Sequence, residues 1–130
     1  MTHILLIEDS ATDAHAYGRV LRSNGYQVLN ASSGEEGMQL AEEHHPDVII
    51  MDIVMPGLNG FQATRELARN DETASIPVIM MSTKDQETDR IWGLRQGAFD
   101  YLVKPVKKSM LLQAVEAALA GNALQVPSTS

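Results

Sequence analysis

The 130-residue sequence contains no cysteine, which excludes a disulfide framework, a zinc–thiolate site and a thiol nucleophile. No apolar run approaches the roughly 20 residues that a membrane-spanning helix needs, and no signal peptide precedes the first strand. We therefore expect a cytoplasmic protein without membrane insertion. Basic residues are also scarce, because 10 Lys and Arg face 17 Asp and Glu, giving a net charge of −7. This balance disfavours nucleic acid as a partner, since nucleic-acid binders carry basic patches.

Five short apolar stretches alternate with five amphipathic segments along the chain. The apolar stretches are predicted strands at residues 4–7, 26–29, 48–51, 77–81 and 99–103. Strict alternation predicts an α/β fold with a doubly wound parallel sheet and helices on both faces. Right-handed crossovers leave few topologies, and five strands favour the flavodoxin-like order 2-1-3-4-5. We expect one domain over residues 1–121, with Gly121 ending the last helix, and a flexible tail over residues 122–130.

Local signals predict where the helices begin and end. Ser10 followed three residues later by Asp13 resembles a capping box, in which the two side chains bond each other's backbone N–H groups. Ser33 and Glu36 repeat this pattern before the second helix. Gly97 is predicted to end the fourth helix, because glycine adopts the left-handed conformation that terminates helices.

Polar residues follow four of the five predicted strands at the point where each strand ends. Glu8 and Asp9 follow the first strand, Asp52 the third, Ser82 the fourth and Lys104 the fifth. Parallel strands present their carboxyl ends at one edge of the sheet, which is where open α/β sheets bind ligands. The predicted strand order places these five side chains together at that edge.

This combination of residue types has a chemical interpretation. Three carboxylates held together repel, so near neutral pH they need a cation or a proton. Oxygen ligands suit Mg²⁺, which usually combines one or two carboxylates with water and phosphate oxygens. A carboxylate can also act as a nucleophile and form an acyl phosphate. We interpret the edge as a site that places a phosphoryl group on Asp52, with Lys104 as a mobile cation and Ser82 as a hydroxyl donor.

Each residue also has a simpler explanation. Aspartate is a common turn residue, so Asp52 alone is more often a turn former, and Glu8 with Asp9 could serve a turn or a cap. Ser82 could cap a helix, and Lys104 could be a solvated charge. The joint occurrence favours a site, because four of five strands end in a residue type that this chemistry requires.

Four motifs resemble those of a known family. They are Ile-Glu-Asp-Ser after the first strand, Met-Asp-Ile-Val-Met-Pro-Gly-Leu-Asn-Gly around Asp52, Met-Ser-Thr after the fourth strand and Tyr-Leu-Val-Lys-Pro after the fifth. On these motifs, residues 3–120 resemble a response-regulator receiver domain of two-component signalling, the CheY-like family. The resemblance implies that Asp52 accepts a phosphoryl group from a histidine kinase and that Lys104 contacts that group. It also implies that Ser82 and Tyr101 form a switch pair and that the Lys104–Pro105 peptide bond is cis.

The resemblance also implies how Mg²⁺ is bound. Asp9 and Asp52 are expected to be direct ligands, and the backbone carbonyl of Val54 completes the protein ligands. Glu8 is expected to act through a water molecule. It replaces the aspartate that is commoner at its position, and its extra methylene should be tolerated in this indirect role.

A narrower resemblance concerns the pathway and the partners. Asp-Ile-Val-Met-Pro-Gly-Leu-Asn-Gly-Phe-Gln-Ala-Thr-Arg and the later Thr-Lys-Asp-Gln-Glu-Thr-Asp resemble the single-domain regulator of a chemotaxis-like pathway that controls type IV pili and twitching motility. We also expect a monomer that catalyses only its own phosphorylation and dephosphorylation. A protein partner is expected on the face of the fourth helix, fifth strand and fifth helix. Trp92, Gln96 and Gln113 are candidates for the exposed side of that face.

Other functions remain open at this point. The protein could be a phosphate sink or a phosphorelay intermediate without an output of its own. A metal-dependent phosphatase with an aspartyl-phosphate intermediate is disfavoured, because such enzymes use a second carboxylate two residues after the nucleophile and Val54 stands there. A flavodoxin-like flavin carrier is disfavoured because clustered carboxylates would repel the flavin phosphate.

Overall fold

The computed structural model describes residues 1–128, with side chains described up to residue 121. The five predicted strands and five predicted helices are all present. The strands are β1 (His3–Ile7), β2 (Gln27–Ala31), β3 (Val48–Asp52), β4 (Val78–Ser82) and β5 (Asp100–Val103). The helices are α1 (Ala11–Ser23), α2 (Gly34–His44), α3 (Gly60–Arg69), α4 (Glu87–Arg95) and α5 (Lys108–Ser128).

The strands form one parallel sheet in the order β2-β1-β3-β4-β5, which confirms the predicted topology. Register pairs Ile7 with Met51 across β1 and β3, and Asp52 with Met81 across β3 and β4. Because all strands run the same way, their carboxyl ends share one edge, as the site prediction required.

The core has two layers because side chains alternate between the two faces of the sheet. Ile4, Leu6 and Ile50 lie in one buried cluster with residues of α1 and α5. Leu5 and Ile49 lie in the other, with residues of α2 and α3. Central strands covered on both faces read as continuous apolar runs, which explains why the sequence signal for β1, β3 and β4 was strong.

The predicted capping boxes are only half formed. Ser10 Oγ accepts from the N–H of Asp13 at 3.2 Å, but the N–H of Ser10 donates to Glu8 Oε2 at 3.1 Å instead of to Asp13. Similarly, Ser33 Oγ accepts from the N–H of Glu36 at 3.1 Å, whereas the Glu36 carboxylate accepts from Ser32. At the first helix, Glu8 replaces Asp13 as the acceptor for the Ser10 N–H. At the second, Ser32 replaces the Ser33 N–H as the donor to the Glu36 carboxylate.

The last helix continues past Gly121, where we expected it to end. The described glycines with positive φ are Gly25, Gly57 and Gly97, so Gly121 does not adopt the conformation that ends a helix. Its lack of a side chain serves packing instead, because a Cβ atom there would lie 3.1 Å from the Phe99 ring. Gly97, with φ of +112°, does end α4 as predicted. The predicted flexible tail, residues 122–130, lies outside the residues with described side chains, and residues 129 and 130 lie outside the described chain.

Over the part of the chain that the structure describes, no helix combines the length and the apolar character needed to cross a membrane.

Gly60 fixes the approach of α3 to the end of β3, and this gives a stability prediction. A Cβ atom at Gly60 would lie 2.5 Å from the Asp52 carbonyl oxygen and 2.6 Å from Ile53 Cα, both backbone atoms, which are costly to displace. We expect Gly60→Ala to lower the free energy of unfolding by about 2–3 kcal/mol, measured by urea denaturation.

Gly18 provides the matched control for this substitution. It lies inside α1, and the nearest atom to an added Cβ is the flexible end of Arg22, at 3.1 Å. Gly18→Ala should therefore leave the stability unchanged or raise it by about 0.5–1 kcal/mol, because alanine favours helix. Equal stability of Gly60→Ala and wild type would show that the loop between β3 and α3 can relax.

Candidate functional site

Three carboxylates meet at the carboxyl edge of the sheet. One oxygen atom from each of Glu8, Asp9 and Asp52 lies within 4.8 Å of the other two. Glu8 and Asp52 are buried, whereas Asp9 is exposed. Burying a carboxylate beside other carboxylates is unfavourable for folding, so the arrangement calls for a cation.

The backbone around this cluster is held by bonds between neighbouring elements. The N–H of Glu8 donates to the carbonyl of Ala31 at the end of β2, at 2.9 Å. The N–H of Gly60 donates to the carbonyl of Ile53 at 2.9 Å, which closes the loop that follows Asp52. Asp52 is therefore the last residue of β3, and the backbone of Glu8, directly after β1, is held to the end of β2.

Lys104, immediately after β5, reaches across the edge to the carboxylates. Its Nζ atom lies 2.6 Å from Glu8 Oε1, 2.9 Å from Asp13 Oδ2 and 3.7 Å from Asp52 Oδ2. The Lys104 side chain is only 9% exposed. The Lys104–Pro105 peptide bond is cis, as the resemblance implied. Lys104 is therefore a buried cation shared among three carboxylates and not a solvated charge.

The buried groups have shifted proton affinities. Burial, with a smaller contribution from the charge of Asp52, raises the pKa of Glu8 to about 7, although the bonds from Lys104 and Ser10 oppose this. Burial lowers the pKa of Lys104, but its hydrogen bonds to Glu8 and Asp13 outweigh that effect and raise it above its usual value. Lys104 therefore stays charged across the physiological range.

The donor set fits Mg²⁺. All three carboxylates offer oxygen, and the part of the chain that the structure describes places no nitrogen or sulfur ligand in the cluster. Oxygen ligands at this spacing suit a small hard cation that keeps several water molecules. The expected contribution of the Val54 carbonyl stays a prediction. The N–H of Val54 makes a long bond of 3.4 Å to Asp52 Oδ1.

Ser82 and Tyr101 are linked through one residue of the loop after β4. Ser82 is fully buried, and its Oγ atom accepts from the N–H of Lys84 at 3.1 Å. The Tyr101 hydroxyl donates to the carbonyl of Lys84 at 2.8 Å. The Tyr101 ring is buried with Ile53 and Met80, and burial raises the pKa of its hydroxyl. The ring is therefore fixed in a buried position, and its role in a switch stays a prediction.

The contributions of two residues to this site were not predicted from the sequence. Asp13 was assigned to a capping box, and only the structure brings its carboxylate to Lys104. Lys84 belongs to the Thr-Lys-Asp-Gln-Glu-Thr-Asp stretch, but it contributes here through its backbone, which no side-chain pattern could reveal. The spacing of Ser10 and Asp13 gave a correct signal for the helix start but none for the carboxylate.

The fold and the acidic edge together define a receiver domain. The chain belongs to the response regulator receiver domain family, whose model matches residues 4–116. Among curated proteins, it is 54% identical to protein PilH of Pseudomonas aeruginosa over 121 residues, which are 93% of this chain and 100% of that protein. The chain spans about half the length of several other curated relatives that it matches.

Solved structures agree with this family. The chemotaxis protein CheY4 of Vibrio cholerae superposes with a TM-score of 0.86 at 28% identity, over 92% of this chain and 99% of that one. The receiver domain of a sensor histidine kinase from Pseudomonas aeruginosa superposes with a TM-score of 0.85 at 32% identity, over 92% and 98%. The latter structure has a magnesium ion coordinated in its active-site cleft.

Proposed function

We propose that this response regulator accepts a phosphoryl group on Asp52 from a histidine kinase, with Mg²⁺, and then presents an altered surface to a protein partner. The observation that carries the proposal is the position of Asp52. It is a buried carboxylate at the end of a central strand, clustered with Glu8 and Asp9 and 3.7 Å from Lys104 Nζ. Such a group costs folding free energy, and its presence favours a chemical role.

The proposed reaction transfers the group between a donor nitrogen and an Asp52 oxygen. An oxygen of Asp52 attacks the phosphorus atom, an O–P bond forms, the P–N bond to the kinase histidine breaks, and imidazole leaves. The Val54 N–H orients the carboxylate through Oδ1, and the Lys104 ammonium stands on the Oδ2 side. Positioning and charge neutralisation are the main requirements of phosphoryl transfer, and both are supplied by this arrangement.

Glu8, Asp9 and Asp52 would hold Mg²⁺, with the Val54 carbonyl. When bound, the ion supplies positive charge that offsets repulsion between the carboxylates and the incoming phosphoryl group. We assign direct contacts to Asp9 and Asp52 and a water-mediated contact to Glu8. Both Glu8 oxygens already accept other hydrogen bonds, from Lys104 and from the N–H of Ser10, which supports the indirect role.

The proposed switch runs through Lys84. A serine hydroxyl can accept one hydrogen bond while donating another, so Ser82 can keep its bond from the Lys84 N–H and donate to a phosphoryl oxygen. Movement of the Ser82 hydroxyl toward Asp52 would then carry the loop that also holds the Tyr101 hydroxyl. The change is a shift in populations, and a bias of about 1.4 kcal/mol changes their ratio tenfold.

The proposed output surface is the face of α4, β5 and α5. Large apolar side chains on these three elements are exposed, which is a common property of protein-binding surfaces. They are Ile91, Trp92 and Leu94 on α4, Val103 on β5 and Met110 on α5. Gln113 is exposed on α5, whereas Gln96 after α4 is only partly exposed.

We assign the protein to a chemotaxis-like pathway that controls type IV pili and twitching motility, acting in the cytoplasm as a monomer. Similarity to PilH over the whole length of that protein supports this pathway. A phosphate sink or relay intermediate is the alternative that uses the same site. Phosphatase turnover is disfavoured, because Val54 is an exposed apolar residue where those enzymes have their second carboxylate.

The direct test uses a small acyl phosphate as donor. Intact-protein mass spectrometry should detect one added phosphoryl group in the presence of Mg²⁺ and none after the metal is removed by chelation. The adduct should be labile to alkali, as an acyl phosphate is. A stable adduct, or one that forms equally well without a divalent cation, would refute the proposed chemistry.

Removing either hydroxyl of the switch pair should uncouple the loop after β4 from the site. In wild type, we expect Mg²⁺ with beryllofluoride, a phosphoryl mimic, to change hydrogen exchange in residues 83–86 and in α4. Ser82→Ala and Tyr101→Phe should still bind Mg²⁺ but lose most of this change, because each lacks one of the two bonds to Lys84.

Tyr26→Phe is the control for the tyrosine substitution. Tyr26 lies just before β2, is partly buried and is remote in sequence from the loop. This variant should respond to the mimic as wild type does. A full wild-type response in both Ser82→Ala and Tyr101→Phe would show that the coupling takes another route.

A further inference from the structure

The ammonium group of Lys104 is held by a carboxylate that does not belong to the Glu8, Asp9 and Asp52 cluster. Asp13 Oδ2 lies 2.9 Å from Lys104 Nζ, which is closer than Asp52 Oδ2 at 3.7 Å. Only the contact between Lys104 and Asp13 is short enough to be a hydrogen bond. The Asp13 side chain is 37% exposed and Lys104 is 9% exposed, so the bond forms at the mouth of the site.

The helix cap explains why the Asp13 carboxylate is available. Asp13 lies in the first turn of α1, three residues after the N-cap Ser10. In a full capping box its carboxylate would accept from the N–H of Ser10. Glu8 Oε2 takes that N–H instead, and Ser10 Oγ still fixes the backbone of Asp13. The carboxylate of Asp13 is therefore free to reach Lys104.

Lys104 has three N–H donors, and Glu8 and Asp13 take two of them in charge-assisted bonds. A short bond to a phosphoryl group on Asp52 requires the ammonium to move toward Asp52, which weakens one of these two bonds. Glu8 is almost fully buried, so losing its cation would leave a poorly solvated carboxylate. Asp13 is partly exposed and can exchange its bond to Lys104 for water.

We propose that Asp13 is a positioning residue that competes with the phosphoryl group for the Lys104 ammonium. Its bond to Lys104 lowers the affinity of the site for a phosphoryl group and so sets the population of the switched state. This inference rests on the proposed function, because it assigns Lys104 to the phosphoryl group on Asp52.

Beryllofluoride binding tests the competition. The affinity is measured by fluorine NMR at saturating Mg²⁺, with wild type, Asp13→Asn and Asp13→Glu. Asp13→Asn removes the charge at nearly constant shape and should bind beryllofluoride about fivefold more tightly. Asp13→Glu keeps a carboxylate near Lys104 and should remain closer to wild type. The affinity for Mg²⁺ alone should change by less than about twofold, because Asp13 is outside the carboxylate cluster.

A double-mutant cycle separates competition from a general effect of removing a negative charge. The same substitution is made in Lys104→Met, with beryllofluoride raised until the site saturates. The gain in beryllofluoride affinity from Asp13→Asn should disappear in the Lys104→Met background, because no ammonium is left to release. The role of Asp13 would be overturned if Asp13→Asn raised the beryllofluoride affinity equally in wild type and in Lys104→Met. An unchanged or weaker beryllofluoride affinity of Asp13→Asn alone would also overturn it.

The wild-type result distinguishes this inference from the proposed function. Wild-type protein that binds no beryllofluoride in the presence of Mg²⁺ would refute both. Wild-type protein that binds it with an affinity indifferent to Asp13→Asn would refute the competition alone. A melting temperature within a few degrees of wild type for Asp13→Asn establishes that the affinity change does not come from unfolding.

Discussion

Asp52→Asn should abolish phosphorylation, the largest effect expected for any single substitution in this protein. The amide nitrogen and oxygen keep the shape of the carboxylate but lack its nucleophilic oxygen. With a small acyl phosphate and Mg²⁺, intact-protein mass spectrometry should detect the added phosphoryl group in wild type and none in the variant. The fold should persist, because the substitution removes a buried charge next to Glu8 and Asp9.

Asp47→Asn is the matched control, because Asp47 immediately precedes the strand that Asp52 ends. Its exposed carboxylate accepts from the N–H of His3 at the opposite edge of the sheet, at 2.8 Å. This variant should be phosphorylated to the same extent as wild type. If Asp52→Asn gains a phosphoryl group as readily as wild type does, the nucleophile is another residue. Peptide mapping of the adduct would then identify that residue.

Asp9→Asn should weaken Mg²⁺ binding more than Glu8→Gln does. Asp9 is exposed, and its carboxylate is free to ligate the ion directly, whereas both Glu8 oxygens are already engaged by Lys104 and the Ser10 N–H. Loss of an outer-shell partner typically costs 10–100-fold in metal affinity, and loss of a direct ligand should cost more. We expect Glu8→Gln at the lower end of that range and Asp9→Asn beyond its upper end, by isothermal titration calorimetry with Mg²⁺.

The two substitutions are matched, since each replaces a carboxylate by its amide. Asp71→Asn, at an exposed position in the turn after α3, controls for the general loss of one negative charge and should change the affinity little. Equal losses of Mg²⁺ affinity in Asp9→Asn and Glu8→Gln would contradict the distinction between direct and water-mediated ligands.

The sequence by itself determined the sheet and which carboxylates meet at its edge. Buried central strands leave continuous apolar runs, and strict alternation with helices allows few right-handed topologies. The residues that end β1, β3, β4 and β5 must then meet, because parallel strands share one carboxyl edge. Glu8, Asp9 and Asp52 could therefore be grouped before any coordinates were known.

Only the tertiary structure decided which partner each polar group takes. Asp13 and Lys104 are 91 positions apart, and their bond depends on Glu8 having taken the Ser10 N–H first. Lys84 joins Ser82 to Tyr101 through backbone atoms that every residue possesses. Hydrogen-bond partners are chosen by competition at distances of about 3 Å, which follow from packing and not from local sequence spacing.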